Sequence, residues 1–143
     1  FTIWIRILSR SITSNPQIIL SNRERTSFPG FQFRSGVNSE HAWIMQARDD
    51  GGVGQLWNVV STSVAVTDVW NNIAITSDGS TVSIYVDDMS TAEDTATNIS
   101  TTTGNPGETL TMGGPPANIG FDHMTAGVMG LGLHDKLLSE SDT

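Results

Sequence analysis

Cleaving a glycosidic bond with retention takes two carboxyl groups about 5 Å apart, one to attack and one to donate a proton. On a β-strand the side chains at i, i+2 and i+4 share a face, so the pattern to seek is Glu and Asp spaced within one strand. The glutamates, Glu24, Glu40, Glu93, Glu108 and Glu140, instead fall in stretches of loop character or beside the C-terminal turn. Asp87 and Asp88 are neighbours, so they point to opposite faces and make a poor acid and nucleophile pair. A lyase would need a Tyr or His base beside an Arg or Asn, and the only tyrosine, Tyr85, occupies a sheet-face position. A Gly-x-Ser-x-Gly elbow, a His-Glu-x-x-His pair and a phosphate loop ending in Gly-Lys are all missing from the sequence. With no cysteine there is neither a thiolate nucleophile nor a disulfide framework. His41, His123 and His134 stand too far apart for zinc-ligand spacing. The sequence therefore reads as a protein that is not an enzyme.

The elements that position these groups are short runs rich in Val, Ile, Thr and aromatics, parted by Gly, Asn, Asp and Ser, which is the pattern of an all-β sandwich or barrel. Phe1, Ile3, Ile5 and Ile7 alternate with Thr2, Trp4, Arg6 and Leu8, so the first strand has one strongly apolar face. Asn15-Pro16 breaks the chain before Ile18-Ile19-Leu20, and Pro29-Gly30 turns into Phe31-Gln32-Phe33. Residues 42–47 have fair helix propensity behind a capping Ser39, but the turn Asp49-Asp50-Gly51-Gly52 and the return run 56–60 favour a strand. The clearest unit is a hairpin over 72–87. It puts Ile73, Ile75, Val82, Ile84 and Val86 on the buried face and uses Asp78-Gly79 for the positive φ of a tight turn. Residues 89–109 read as a long loop with at most one weak strand, 110–112 and 128–133 as short strands, and 136–138 as a single helical turn. Gly130 and Gly132 on one face of the last strand mark a close backbone approach.

A length of 143 residues suits one domain with one core, here taken to span 1–143 and to be a mature product or an excised part of a longer polypeptide. Charged residues are only 15% of the chain, while Ser and Thr number 33, so hydroxyls supply much of its solvation. Seven basic against fifteen acidic residues give a net charge of -8, and the single lysine, Lys136, cannot build the cationic stripe that nucleic acid requires. No apolar run approaches the ~18 residues of a membrane span, so membrane insertion is not expected.

The stretch from Trp70-Asn71-Asn72-Ile73 through Asp78-Gly79 to Ile84-Tyr85-Val86-Asp87 resembles the central hairpin of concanavalin A-like lectin/glucanase domains of the laminin G type. Phe1 to Arg6 is similar to an early core strand of that family, Leu110-Thr111-Met112-Gly113-Gly114 to its glycine-ended late strand, and 127–140 to its closing strand. The pattern departs at Asp88, where a glycine is usual, and at Asn71-Asn72, where a histidine often stands. The resemblance implies a two-sheet antiparallel β-sandwich, or jelly roll, a scaffold shared by lectins, adhesion modules, glycan-cleaving enzymes and virion surface proteins, so fold alone does not settle function. It also implies a rim where calcium is often held. The calcium candidates are Asp49 and Asp50, Asp122, and the group Asp87, Asp88 and Asp94; turn-forming aspartates open to water are the favoured reading.

If consecutive strands alternate in direction, loops 22–29, 48–54, 77–80 and 114–126 gather at one rim, and loops 9–16, 35–40, 61–69 and 88–109 at the other. The first rim then carries Arg23 and Arg25 together with Arg48, Asp49, Asp50, Asp122 and His123, the last five being the candidate ligand-binding residues. Their carboxylates would accept hydrogen bonds from vicinal hydroxyls directly or through calcium. Trp4, Trp43, Trp57 and Trp70 are expected to be mainly core residues, Trp57 being the one considered for stacking on a sugar, and Arg6 is expected to be stacked or at an interface. The function expected is non-catalytic recognition of a glycan or a partner protein surface through rim loops. The alternative is a structural or decorating protein of a virion or cell surface, assembled with other copies or other structural proteins. Either places it outside the cell, on a cell surface or on a virion.

Overall fold

The computed structural model describes residues 1–10, 15–22, 30–35, 41–48, 55–97, 99, 110–113, 122–123 and 126–134. These form the strands β1 (Thr2–Ser9), β2 (Gln17–Ser21), β3 (Gly30–Ser35), β4 (Ala42–Arg48), β5 (Gln55–Val64), β6 (Trp70–Ser77), β7 (Thr81–Val86), β8 (Asp94–Thr97), β9 (Thr111–Met112), β10 (Asp122–His123) and β11 (Ala126–His134). A five-stranded sheet runs β11-β1-β6-β7-β8, and a six-stranded sheet runs β10-β2-β3-β4-β5 with β9 also paired to β2. All pairs are antiparallel except the two-residue pairing of β10 with β2. The chain is thus an all-β, two-sheet sandwich, with no helix among the described residues.

Period-two alternation builds the core between the sheets. From the five-stranded sheet come Ile3, Ile5 and Ile7 of β1 with Ile73, Ile75, Val82, Ile84 and Val86 of the β6–β7 hairpin. Facing them are Ile19, Leu20, Phe33, Trp43, Met45, Ala47, Trp57 and Val59. Phe33 and Trp43 are both fully enclosed, with ring centroids 6.1 Å apart. Each of these side chains stabilises the fold by roughly 1.5–3 kcal/mol relative to exposure. Residues 42–47 are a strand, as the turn at 49–52 suggested, because Trp43, Met45 and Ala47 alternate into the core. Trp57, considered for sugar stacking, is buried instead. The helical turn expected at 136–138 lies outside the described residues.

β11 shows what its glycines are for. A Cβ on Gly130 would meet Trp4 Cζ3 at 2.6 Å, so the Trp4 indole lies across a strand that has no side chain there. Beside it, Arg6 stacks its guanidinium 5.5 Å from the centroid of Trp70, a cation–π contact on the outer face of the five-stranded sheet.

The β6–β7 turn is held by Asp78, whose Oδ1 accepts from Ser80 N (2.8 Å), Ser80 Oγ (2.9 Å) and Thr81 N (2.8 Å). These donors hold its carboxyl well below the usual carboxylate range. Gly79 follows at φ 95°, with open space around a notional Cβ. Replacing it therefore costs backbone strain rather than crowding, and Gly79→Val should lower stability by about 1–3 kcal/mol. Thermal and urea unfolding read this directly, and an unchanged melting temperature would show that the turn does not need the left-handed residue.

Candidate functional site

With every second residue of β3, β4 and β5 committed to the core, the alternate residues form the outer face of the six-stranded sheet. Register arranges them in cross-strand rows. Ile18, Arg34, Ile44 and Val60 make one row, and Ser21, Gln32, Gln46 and Asn58 make the next. In a third row Gly30 pairs with Arg48, which pairs in turn with Gln55. A row of amides thus lies between two rows that each carry an arginine. Gln46 Nε2 donates to Gln32 Oε1 at 3.2 Å, and both side chains are buried, while Asn58 is half-buried.

Arg34 is the unusual member of this face. It is half-buried between Ile18 and Ile44, which are themselves buried, and its Nε and Nη1 are enclosed without a hydrogen-bond acceptor among the described residues. Burial pushes its pKa down, and the Arg48 guanidinium pushes it further the same way. Even so, a guanidinium stays protonated, so this is a cation held where charge is costly. Gly30, at φ 116°, stands opposite Arg48 on β3.

The residues expected to converge at one rim do not all do so. Arg48 ends β4 opposite Gly30. Asp122 and His123 pair with Gln17 and Ile18, at the end of the sheet where β2 begins. Strand spacing and rise put them roughly 20 Å from Arg48. Asp49 and Asp50 lie outside the described residues. The alternation count fails for two reasons. Asp94–Thr97 is a full strand on β7 and adds a pass, and β10 lies parallel to β2. At the opposite rim Asp68 N donates to Ser9 O (2.8 Å), Ala65 N to His41 O (3.0 Å), and Glu93 accepts from Ser63 N (2.8 Å), but 88–109 is not one loop there, because β8 carries the chain back across the sheet to Thr97 beside Thr81. By register, His123 falls in the row of Ile18 and Arg34, two strands from Arg34.

Three of the carboxylates weighed for calcium, Asp87, Asp88 and Asp94, have protein partners. Asp87 accepts from Asn71 Nδ2 (3.0 Å) and Asn72 N (2.8 Å), Asp88 from Ser90 N (2.9 Å) and Ser90 Oγ (2.7 Å), and Asp94 from Val60 N and Thr95 N (both 2.8 Å). Among the described residues no group of three or more His, Asp or Glu side chains could hold a metal ion. Sequence reasoning missed Arg34, Gln32 and Gln46. The signal was present in Phe31-Gln32-Phe33-Arg34 and Met45-Gln46-Ala47-Arg48, two consecutive strands in which polar residues alternate with core residues.

The sequence matches the family model of the concanavalin A-like lectin/glucanases superfamily over residues 1–142. The chain belongs to that superfamily. No match was found among curated proteins. Among solved structures, the CBM40 module of the Ruminococcus gnavus IT-sialidase superposes with a TM-score of 0.71 at 14% identity, covering 98% of this chain and 78% of the other. The same module bound to alpha2,3 sialyllactose gives a TM-score of 0.71 at 14% identity, covering 98% and 77%. Bound to alpha2,6 sialyllactose it gives 0.68 at 15% identity, covering 98% and 78%. At these identities the likeness is one of fold. In this concanavalin A-like chain, an enclosed cation without an acceptor is a cost to folding that a well-packed apolar side chain avoids. Arg34→Met should therefore raise stability by about 1 kcal/mol in buffer alone. Urea unfolding of the two proteins measures it, and a destabilised variant would mean that Arg34 is held by bonds its surroundings supply.

Proposed function

We propose that this chain is a non-catalytic glycan-binding module acting outside the cell or on a cell or virion surface, and that it binds through the outer face of the six-stranded sheet. The observation that carries the reading is the polar strip across that face. Bonded Gln32 and Gln46 lie beside Asn58, with Arg34 and Arg48 on either side. The half-buried Asn58, Arg34 and Arg48 are the groups of this strip that a hydroxyl-rich ligand could touch, and the buried Gln32–Gln46 pair holds the strands beneath them rigid, which keeps the ordering cost low. The CBM40 structures lend support, since a module of the same fold is seen with sialyllactose. Arg48, one of the residues expected to bind, ends β4 on this face. Glu93, Asp87 and Asp94, being occupied with protein donors, do not suggest a nucleophile and acid pair.

A glycan array followed by calorimetry on the best ligand tests this. Asn58→Ala should weaken binding five- to tenfold, the loss of about 1 kcal/mol expected for one hydrogen bond. Unchanged affinity in both Asn58→Ala and Gln46→Ala would remove the face from consideration and return attention to the loops.

One observation favours a second reading, assembly with other copies or other structural proteins. Strand β11 ends its sheet among the described residues and exposes Val128, Met129 and Leu133, with Met129 61% exposed. Sheet edges with apolar side chains and open backbone groups are where strands add. Light scattering of the pure protein should then show a dimer or larger species that Met129→Lys dissociates. A monomer at all concentrations would leave no support for self-assembly.

A further inference from the structure

We infer that the partner of the β11 edge is a second copy of β11 itself, running antiparallel, with Ala126 opposite Leu133, Gly127 opposite Gly132 and Val128 opposite Leu131 of the other copy. The inference rests on the assembly reading and gives it a partner and a register. Its first ground is burial. Pairing puts Val128, Leu131 and Leu133 on the same face of the sheet as Ile7, Ile5 and Ile3, the face that packs against the other sheet. Those isoleucines are buried, whereas Val128 stays 42% exposed and Leu133 50%. The core is thus left uncovered along this flank. At the other flank β5 packs across β7 and β8, where Asp94 accepts from Val60 N and Glu93 from Ser63 N, both at 2.8 Å. Edge strands that stay single are ordinarily guarded by charged side chains or proline, and β11 carries neither from Ala126 to Leu133.

A bulge decides which strand suits this edge. Gly130 stands opposite Arg6 and Val128 opposite Ile7, so Met129 is one residue too many for β1. The inward positions therefore fall at 126, 128, 131 and 133, with a step of three in the middle where a regular strand has steps of two. Any regular strand laid on the free side must do as β1 does, leaving Met129 without a partner and interrupting the ladder at its centre. A copy of β11 loses nothing. Its inward positions are symmetric about the midpoint between Met129 and Gly130, so on reversal 126 falls on 133 and 128 on 131, residue for residue across the bulge. Apolar then meets apolar on the inner face, while Gly127 meets Gly132 on the outer face with no side chain to obstruct the approach.

Because the chain has no cysteine, introduced ones report the register without interference. Gly127→Cys and Gly132→Cys proteins, each checked for folding by circular dichroism, are incubated with oxidised glutathione separately and as a mixture. A Cβ at 127 makes only ordinary contacts, and one at 132 meets the flexible end of His134. The mixture should give a disulfide-linked dimer, because opposed residues hold their Cα atoms within about 5.5 Å, inside the disulfide range. Each protein alone should stay mostly unlinked, since like positions lie roughly 17 Å apart in this register. Sedimentation equilibrium of the unsubstituted protein should show a dimer, and Val128→Lys should raise its dissociation constant roughly tenfold or more by bringing a lysine from each copy into the apolar seam. A dimer in which Gly127→Cys links to itself, or which Val128→Lys leaves intact, overturns this register and keeps self-assembly. A monomer that takes up a peptide of alternating Val and Thr, read by protection of the β11 amides from hydrogen exchange, gives the edge to a foreign strand and overturns the inference alone. If the protein is monomeric at all concentrations, with no link in the mixture and no peptide taken up, the inference and the assembly reading both fail.

Discussion

The architecture depends on one constraint, the two-residue period of the strand. It drives Phe33, Trp43, Met45 and Val59 into the seam against Ile3, Ile5 and Ile75, and leaves their alternates no choice but to face outward. Every polar group on the outer face of the six-stranded sheet holds its place because an apolar neighbour in sequence holds the opposite one. A slip of one residue in the pairing of β3 with β4 would bring Arg34 and Gln46 into the core and expel Phe33 and Met45. The energy lost in such a slip comes from the core, so the core also fixes the rows of the outer face. In the six-stranded sheet register shifts occur between Ile18 and Leu20, between Ala42 and Ile44, and between Ala47 and Arg48.

Much of this was legible in the sequence because alternation and turn chemistry are local. Ile73, Ile75, Val82, Ile84 and Val86 announced the hairpin and its buried face, and Asp78-Gly79 announced its turn. The strand over 42–48 could be preferred to a helix because a turn cluster followed it. What escaped was non-local. Asp94–Thr97 has too few apolar residues to be read as a strand, yet it pairs because β7 offers an open edge. The two residues of β10 carry no pattern at all, and their place is set by β2. Those two short elements moved Asp122 and His123 to the far end of the sheet and dispersed the expected rim cluster. Arg34 went unnoticed for a different reason. An arginine between apolar strands reads as a solvated edge residue until burial shows which of its donors have lost water.

Arg34 and Arg6 form an instructive contrast. Both are half-buried on outward strand faces, one on each sheet. The Arg6 guanidinium has the Trp70 ring to lie over, a face with the electron density to accept a cation. Beside Arg34 the row supplies Ile18 and Ile44, which offer nothing to a charge. Among the described residues Nε of both arginines is enclosed without an acceptor, so the difference between them is the aromatic face that only Arg6 has against its guanidinium.

The side of β11 that has no strand partner among the described residues has a geometric consequence beyond its apolar character. Two identical edge strands that pair antiparallel are related by a twofold axis perpendicular to the sheet, which reverses strand direction but keeps each face on its own side. Joined in that way through β11, two copies would merge their five-stranded sheets into one continuous layer, and both six-stranded sheets would stack on the same side of it. Their outer faces would then look in one direction, at a fixed spacing. On a surface crowded with repeated saccharides, such a pair would engage two ligands at once, and avidity would multiply a weak single-site affinity without any new contact.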